Sequence, residues 1–429
     1  MRPLLVSLEY PPHSFGGVGS HVFNLARCLA ERGVPCAVLS PGPTEGESAA
    51  GGVTHFTTPI SGATGFKLLS FAAGVPRCLQ RIRRTFDFDV VHSHFGACAF
   101  AGARSLGGAP LVETAHGTHL GELLALRPLS RLTPREVVGK YTLYPALSLL
   151  DLLCYRRASA IIAVSPLART EVSRYGRDLL EKAVVIPNGI RLSEFAPTER
   201  PARSEDGVLR CLCVAFMQAR KGLEYLLEAC GRLAAQGALA PCADSARASH
   251  AAPEPGGALT AGAAAGGARG ARVAAGGAKI SLTIVGDGPH FDRLKATALR
   301  HGISDSVRFA GRLDRDCLMR EFAAADAFVL PSLWEGQGIV FLEAAASGLP
   351  IVATRIPGVE GMLEHGVNAL LVPPRDPAAL AEAILKLAGS RELRSRLSSE
   401  GLTRVKRYDW NQLVGEVISL YASVLGGRV

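Results

Sequence analysis

The sequence predicts an α/β protein of two doubly wound domains facing across a cleft, and three observations carry that prediction. The chain has 429 residues, too many for one ordinary core and enough for two domains of about 150–200 residues. Short, continuously apolar runs alternate with segments of helical periodicity, the pattern of a parallel sheet covered on both faces. The alternation halts in a polar, proline-bearing stretch, residues 195–207 (FAPTERPARSEDG), and then begins again.

In the first half, PLLVSLEY reads as a strand and SFGGVGS as a glycine loop. HVFNLARCLAERG reads as a helix, with Val22, Leu25, Ala26 and Leu29 on one face and a stop at Gly33. CAVLSP, FDVVHSHF, PLVETAHGTH, ASAIIAVSP and KAVVIPNG follow as strands. The pattern restarts with LRCLCVAF, a helix GLEYLLEACGRLAAQ, SLTIVGDGP, a helix HFDRLKATALRHG, and the strands VRFAG, ADAFVLPS, PIVATR and ALLVPP. The N-terminal domain is therefore placed at residues 1–200 and the C-terminal domain at 201–410. Residues 236–278 are nearly all Ala, Gly, Pro and small polar residues. Such a segment buries too little apolar surface to offset its ordering entropy, so a disordered surface insertion is expected there. The tail, 411–429, has helical spacing and is expected to pack back on the first domain.

Hydrophobic residues make up 48% and charged residues 20%, which fits a globular chain. A net charge of +9 permits attraction to phosphate-bearing ligands or an anionic membrane face. Aromatic residues at 6%, without a dense basic stripe, argue against nucleic acid as a partner. The ten cysteines form no CxxC pair and mostly lie in apolar runs, which predicts buried, reduced thiols in a cytoplasmic protein. The first apolar run is too short for a signal peptide, and no run approaches the length of a membrane span. Arg77, Arg81 and Arg84 share a helical face, and residues 120–140 mix apolar with basic side chains. Together they offer a peripheral contact to the inner face of an anionic membrane.

Ligands of open parallel sheets bind beyond the carboxyl ends of strands, so the loops there are the places to look. Gly16, Gly17 and Gly19 follow the first strand and open a helix, whose amides suit a phosphate. The loop is not GxGxxG and no acidic residue follows about 20 positions on, which disfavours a nicotinamide cofactor. His116 ends a strand and is a candidate for hydrogen bonding a reacting group. His92, His94 and His119 are secondary candidates, and none of these histidines has the spacing of a zinc site. Arg220 and Lys221 precede a helix, where cations oppose the dipole unless an anion is bound. Asp314 and Asp316 form a D-x-D string, read first as helix caps. In LPSLWEGQGIVFLEAAASG, Glu335 lies in a loop and Glu343 about two turns inside the following helix. The amides between them, from Gly336 through Gly338, Ile339 and Val340, could hold a diphosphate. A carboxylate accepts hydrogen bonds from hydroxyls, so Glu343 could take a ribose and Glu335 a sugar. That layout suits a nucleotide-diphosphate-sugar.

These pieces resemble a retaining glycosyltransferase of family 4 (glycosyl transferases group 1), with a GT-B fold of two Rossmann-like domains. Matching stretches run nearly end to end, from EYPPHSFGGVGSHVFNLARCLAERG through RKGLEYLLEA to LPSLWEGQGIVFLEAAASGLPIVAT. Only 118–157 and 236–278 lie outside the likeness. The resemblance implies that Gly17 approaches the donor phosphate, His116 faces the donor sugar and Lys221 holds the diphosphate. It further implies that Glu335 binds the sugar, Glu343 the ribose, and the amides near Gly338 and Ile339 the phosphate. It implies no metal and no cofactor, with a hydroxyl acceptor on a sugar or lipid-linked sugar in cell-surface polysaccharide or glycolipid synthesis. Three positions depart from the pattern. Phe216 stands where an arginine usually pairs with the lysine, Gln337 where an aromatic is common, and Glu360 is displaced by one position in its turn. Two rival readings follow: a nucleotide-sugar epimerase of similar architecture, and, on account of Phe216, a non-catalytic partner subunit.

Overall fold

The computed structural model describes residues 1–13, 16–60, 66–125, 134–195, 207–242 and 279–426. The first sheet is built from β1 (Pro3–Val6), β2 (Cys36–Pro41), β3 (Gly46–Ala50), β4 (Val53–Thr58), β5 (Val90–His94), β6 (Leu111–Ala115), β7 (Ala160–Ala163) and β8 (Ala183–Val185). Its strand order is β3-β4-β2-β1-β5-β6-β7-β8, and every pairing except β3 with β4 is parallel. The second sheet holds β9 (Val208–Val214), β10 (Lys279–Val285), β11 (Val307–Gly311), β12 (Ala327–Leu330), β13 (Ile351–Thr354) and β14 (Ala369–Val372), in the order β11-β10-β9-β12-β13-β14. Each sheet reverses direction of growth at its first strand, which opens a crevice beyond the carboxyl ends of β1 and β5 and of β9 and β12.

Helices cover both sheets. Around the first lie α1 (Gly17–Glu31), α2 (Lys67–Ile82), α3 (Ala103–Leu106), α4 (His119–Ala125), α5 (Pro134–Arg157) and α6 (Pro166–Ser173). Around the second lie α7 (Leu223–Ala235), α8 (Phe291–Arg300), α9 (Arg315–Ala324), α10 (Ile339–Ala346), α11 (Pro377–Gly389) and α12 (Arg391–Val405). The final helix, α13 (Trp410–Leu425), lies against the first domain. Its Trp410, Leu413, Val414, Val417 and Tyr421 join Val22, Leu25, Leu29 and Val38 in one buried cluster. The opposite face of the first sheet is covered by α2 and α5, through Phe71, Val75, Leu79, Leu150 and Cys154.

Four expectations are corrected. The insertion begins later than 236: Ala240 donates to the Ile280 carbonyl and Cys242 to that of Asp305, each at 2.8 Å, which seats residues 236–242 on the second sheet. The rest of that segment, 243–278, lies outside the described residues, as do 196–206 of the expected domain boundary. The hairpin β3–β4 went unforeseen because the edge strand GESAA is exposed throughout and carries no apolar alternation. Glu343 is only the fifth residue of α10, because Gly338, at φ 78°, delays the helix start to Ile339. Finally, one helical stretch, Val137–Arg157, is long and apolar enough by length and composition to cross a membrane. It carries Pro145 and the buried Asp151 and sends Leu147, Leu150 and Cys154 into the first core. Val138, Tyr141 and Leu149 stay exposed. The cysteines follow expectation: all ten are unpaired, and all but Cys317 are buried.

Candidate active site

The carboxyl ends of the two sheets meet across the cleft. On the C-terminal side, β9 runs into a turn at Ala219–Lys221 and then into α7. That turn is held against the β12 end by the Leu333 amide, which donates to the Arg220 carbonyl at 2.7 Å. It brings the Lys221 Nζ to 2.5 Å from Oε1 of Glu335, while the Ser332 hydroxyl donates to the same oxygen at 2.7 Å. Arg220 Nη1 stands 3.6 Å from the other Glu335 oxygen, and its Nε lies 3.5 Å from Glu122. The guanidinium also sits 5.5 Å from the Trp334 ring centre. Burial alone would raise the Glu335 pKa, but Lys221 and Arg220 outweigh it and hold the carboxylate below its ordinary range. Burial lowers the Lys221 ammonium, against the pull of Glu335. Two cations and two carboxylates, Glu335 and Glu122, thus share a largely buried corner, with the first amides of α10 beside it. Among the described residues, the amides of Gly338 and Ile339 donate to no acceptor. This corner can hold a diphosphate and, once Lys221 turns to it, free Glu335 for a hydroxyl.

Glu343 is placed differently from the expectation of an open acceptor. Arg315, from α9, lies 3.0 Å from its Oε1 and 3.3 Å from Glu194, and stacks 4.7 Å over Phe195. Burial raises the Glu343 pKa and Arg315 opposes that. A ribose therefore has to share or displace Arg315. Asp314 accepts from the Cys317 amide at 2.7 Å, the helix-cap role its position predicted. Phe216 is 57% exposed, and Arg220 stands as the second cation beside Glu335.

On the N-terminal side, the glycine loop is already furnished with an anion. Glu9, just past β1, accepts from the Gly19 amide of α1 at 3.0 Å, and a Cβ on Gly16 would lie 2.4 Å from its carboxylate. Gly16 therefore backs onto Glu9 instead of presenting bare amides, whereas Gly17 has open space beside it. Burial raises the Glu9 pKa, while Gly19 and the charge of Arg220 across the cleft oppose it. The sequence reading missed Glu9, although a carboxylate between a strand end and a glycine loop is itself a signal.

His116 follows β6 at the cleft wall, where its Nε2 is 3.1 Å from Nδ1 of His94. Burial and the nearby His21 and His92 keep its pKa well below the usual histidine range, so it is a neutral imidazole. His92 is structural: its nitrogens bond Tyr421 of α13 and Thr114, each at 2.6 Å. His119 is fixed by Asp151 at 3.0 Å, which in turn accepts from Tyr175.

The domains touch through backbone. A Cβ on Gly336 would lie 1.8 Å from the His116 carbonyl oxygen, and one on Gly117 would lie 2.4 Å from the Trp334 ring. The Trp334 indole donates to Glu171 at 3.1 Å, and the Ser165 hydroxyl to the Gly336 carbonyl at 2.6 Å. Gln337, the departure from an aromatic, accepts from the Asn188 amide at 2.6 Å and so bridges the same seam. Glu360 is exposed and forms an isolated bridge with Leu363.

Known proteins resemble this chain in sequence and in fold. Residues 15–194 match the family described as Glycosyltransferase Family 4, and residues 271–404 match Glycosyl transferases group 1. The chain is 28% identical to a D-inositol 3-phosphate glycosyltransferase of Geodermatophilus obscurus, covering 95% of this chain and 85% of that one. In fold it is similar to the sucrose-phosphate synthase from Thermosynechococcus elongatus, with a TM-score of 0.73, 18% identity and 99% of each chain covered. It is also similar to Anabaena Alr3699/HepE in complex with UDP and glucose, with a TM-score of 0.66, 18% identity, and 99% of this chain and 100% of that one covered.

Proposed function

The chain belongs to the group 1, family 4 glycosyltransferases and has the GT-B fold, and from that premise we propose that it is a retaining, metal-independent hexosyltransferase using a nucleotide-diphosphate-sugar donor. The observation that carries the reading is the Lys221–Glu335–Arg220 cluster beside the unpaired amides of Gly338 and Ile339. The diphosphate takes Lys221, Arg220 and those amides, and Glu335 turns to the sugar hydroxyls. Gly17 offers a close approach from the opposite wall, and neutral His116 hydrogen-bonds the sugar. As the bond from the anomeric carbon to the diphosphate oxygen breaks, the fixed cations and amides stabilise the charge developing on the leaving group. The acceptor hydroxyl attacks the same face of the sugar and passes its proton to the departing phosphate, which preserves configuration. Closure of the two domains excludes water from the reacting centre.

The acceptor in this reading is a sugar or lipid-linked sugar of cell-surface polysaccharide or glycolipid synthesis, handled at the cytoplasmic face of the membrane. Support comes from the exposed Val138, Tyr141 and Leu149 on α5, an apolar face on the N-terminal domain. Flotation with anionic liposomes tests this: recovery of the chain in the protein-only fraction would overturn the membrane contact. The donor is tested by thermal stabilisation against a panel of uridine, guanosine and adenosine diphosphate sugars, followed by NMR of the anomeric proton in the product. Stabilisation by none of them overturns the donor reading, and an inverted product overturns retention. Incubation with donor alone separates transfer from epimerisation, which needs no acceptor.

A further inference from the structure

We propose that His21, His94 and His116 form a binding site for one divalent transition-metal ion, with zinc as the natural occupant, and that occupancy withdraws His116 from the donor sugar. The histidines come from three elements: the first turns of α1, the end of β5 and the residue after β6. Parallel pairing of His94 with Thr114 sets the last two strands side by side. The ring of His21 then stands 4.6 Å from that of His116 and 5.3 Å from that of His94. Their ligand nitrogens all lie within 4.8 Å of one another. His94 Nδ1 and His116 Nε2, at 3.1 Å, are already near the roughly 3.3 Å separation of two nitrogens on one tetrahedral zinc.

The cluster is short of partners. Both nitrogens of His21, Nε2 of His94, the Asn188 side-chain oxygen and the Trp410 indole nitrogen are buried, with no hydrogen-bond partner among the described residues. Burying such groups without partners opposes folding. His92, its ring tilted and 4.3 Å from that of His94, has both nitrogens bonded, so the same core does satisfy a histidine where it needs one as a strut. A phenylalanine at position 21 would fill the space without leaving two polar atoms unpaired. The donor set is all imidazole, with no carboxylate or thiolate, which suits zinc, cobalt, nickel or copper and not magnesium or calcium. The Asn188 side chain, from the loop that Gln337 grips, stands next to both His21 and His116.

The second half of the proposal rests on the role given to His116 above, and the test keeps the halves apart. The untagged full chain is stripped with EDTA and titrated with Co2+ under visible spectroscopy, then with Zn2+ by calorimetry. One equivalent with the intense bands of four- or five-coordinate cobalt is expected. His21→Phe should weaken binding at least 30-fold, His94→Phe likewise, and His301→Ala, an exposed histidine of the other domain, should leave it unchanged. Near-ultraviolet circular dichroism reports whether His21→Phe is folded. The weak spectrum of hydrated cobalt, or wild-type affinity in folded His21→Phe, overturns the site. If cobalt binds but Zn2+ does not slow transfer, or slows His21→Phe equally, the effect on His116 is overturned while the site stands.

Discussion

The Lys221–Glu335 pair is the sharpest place to test the site. Lys221→Met keeps the length of the side chain and removes its charge. Glu335 is then a buried carboxylate, 4% exposed, that has lost its nearest cation. Breaking a buried pair from one side costs about 3–5 kcal/mol. Here Arg220 at 3.6 Å and the Ser332 hydroxyl at 2.7 Å remain on the carboxylate, so a loss of about 2 kcal/mol is expected. For domains of this size that corresponds to a fall in Tm of about 4–8 °C. Adding Glu335→Gln removes the stranded charge and should restore at least half of the lost Tm. Transfer behaves oppositely: Lys221→Met and the double variant should lose roughly 10²–10³-fold in kcat, since the cation on the leaving group is gone, and Glu335→Gln alone should also lose transfer, since the sugar hydroxyls lose their carboxylate acceptor. Thermal unfolding and initial rates on the same preparations read both effects. A double variant no more stable than Lys221→Met would refute the coupling, and near-wild-type turnover in either single variant would refute the role.

Phe216→Arg returns a cation to an exposed position beside the turn and should tighten a nucleoside diphosphate about tenfold by calorimetry; unchanged affinity would show that Arg220 already fills the need. Gly336→Ala forces a Cβ against the His116 carbonyl and should open the seam between domains, seen as a larger radius of gyration in small-angle scattering and a raised KM; an unchanged radius would contradict the tight approach. Glu113 is raised by burial to about 7, so between pH 4.5 and about 7 the native chain holds a proton that the unfolded chain releases. Its contribution is therefore present below pH 4.5 and is lost as pH rises through about 7. Glu113→Gln should flatten the fall of Tm over that window, and parallel Tm–pH curves for the two proteins would refute this.

The parts of the site that could be read from sequence are those where the chemistry is local. Lys221 and Glu335 each stand at a strand end next to a glycine, and Gly338 sits at the mouth of a helix, so the turn itself advertises the function. What escaped were contacts made across elements. Nothing near Glu343 foretells that Arg315, 28 positions upstream, will pair with it. Glu9 reads as the end of a strand until the chain folds back and lays Gly19 on it. His21, His94 and His116 have no metal-like spacing because two parallel crossovers, not a turn, bring them together. The exposed hairpin β3–β4 failed for the converse reason: its backbone is ordered by pairing, with no apolar pattern to betray it. The apolar length of α5 is masked in the sequence because Lys140 and Asp151 interrupt the run, although its mean hydropathy is that of a spanning helix.

The placement of α13 has a consequence for synthesis. The cluster that closes one face of the first sheet draws Trp410, Leu413, Val414, Val417 and Tyr421 from the last helix. When β8 leaves the ribosome, only α1 of that cluster's two helices is in place, and roughly 220 residues must still be translated before the rest of the cover arrives. At about 5–20 residues per second this is a wait on the order of 10–45 seconds. During that time Val22, Leu25 and Val38 are exposed to whatever else is apolar nearby, and the Tyr421 hydroxyl has yet to reach His92. The first domain is begun first and finished last, so the second domain is made while its neighbour's core is still incomplete.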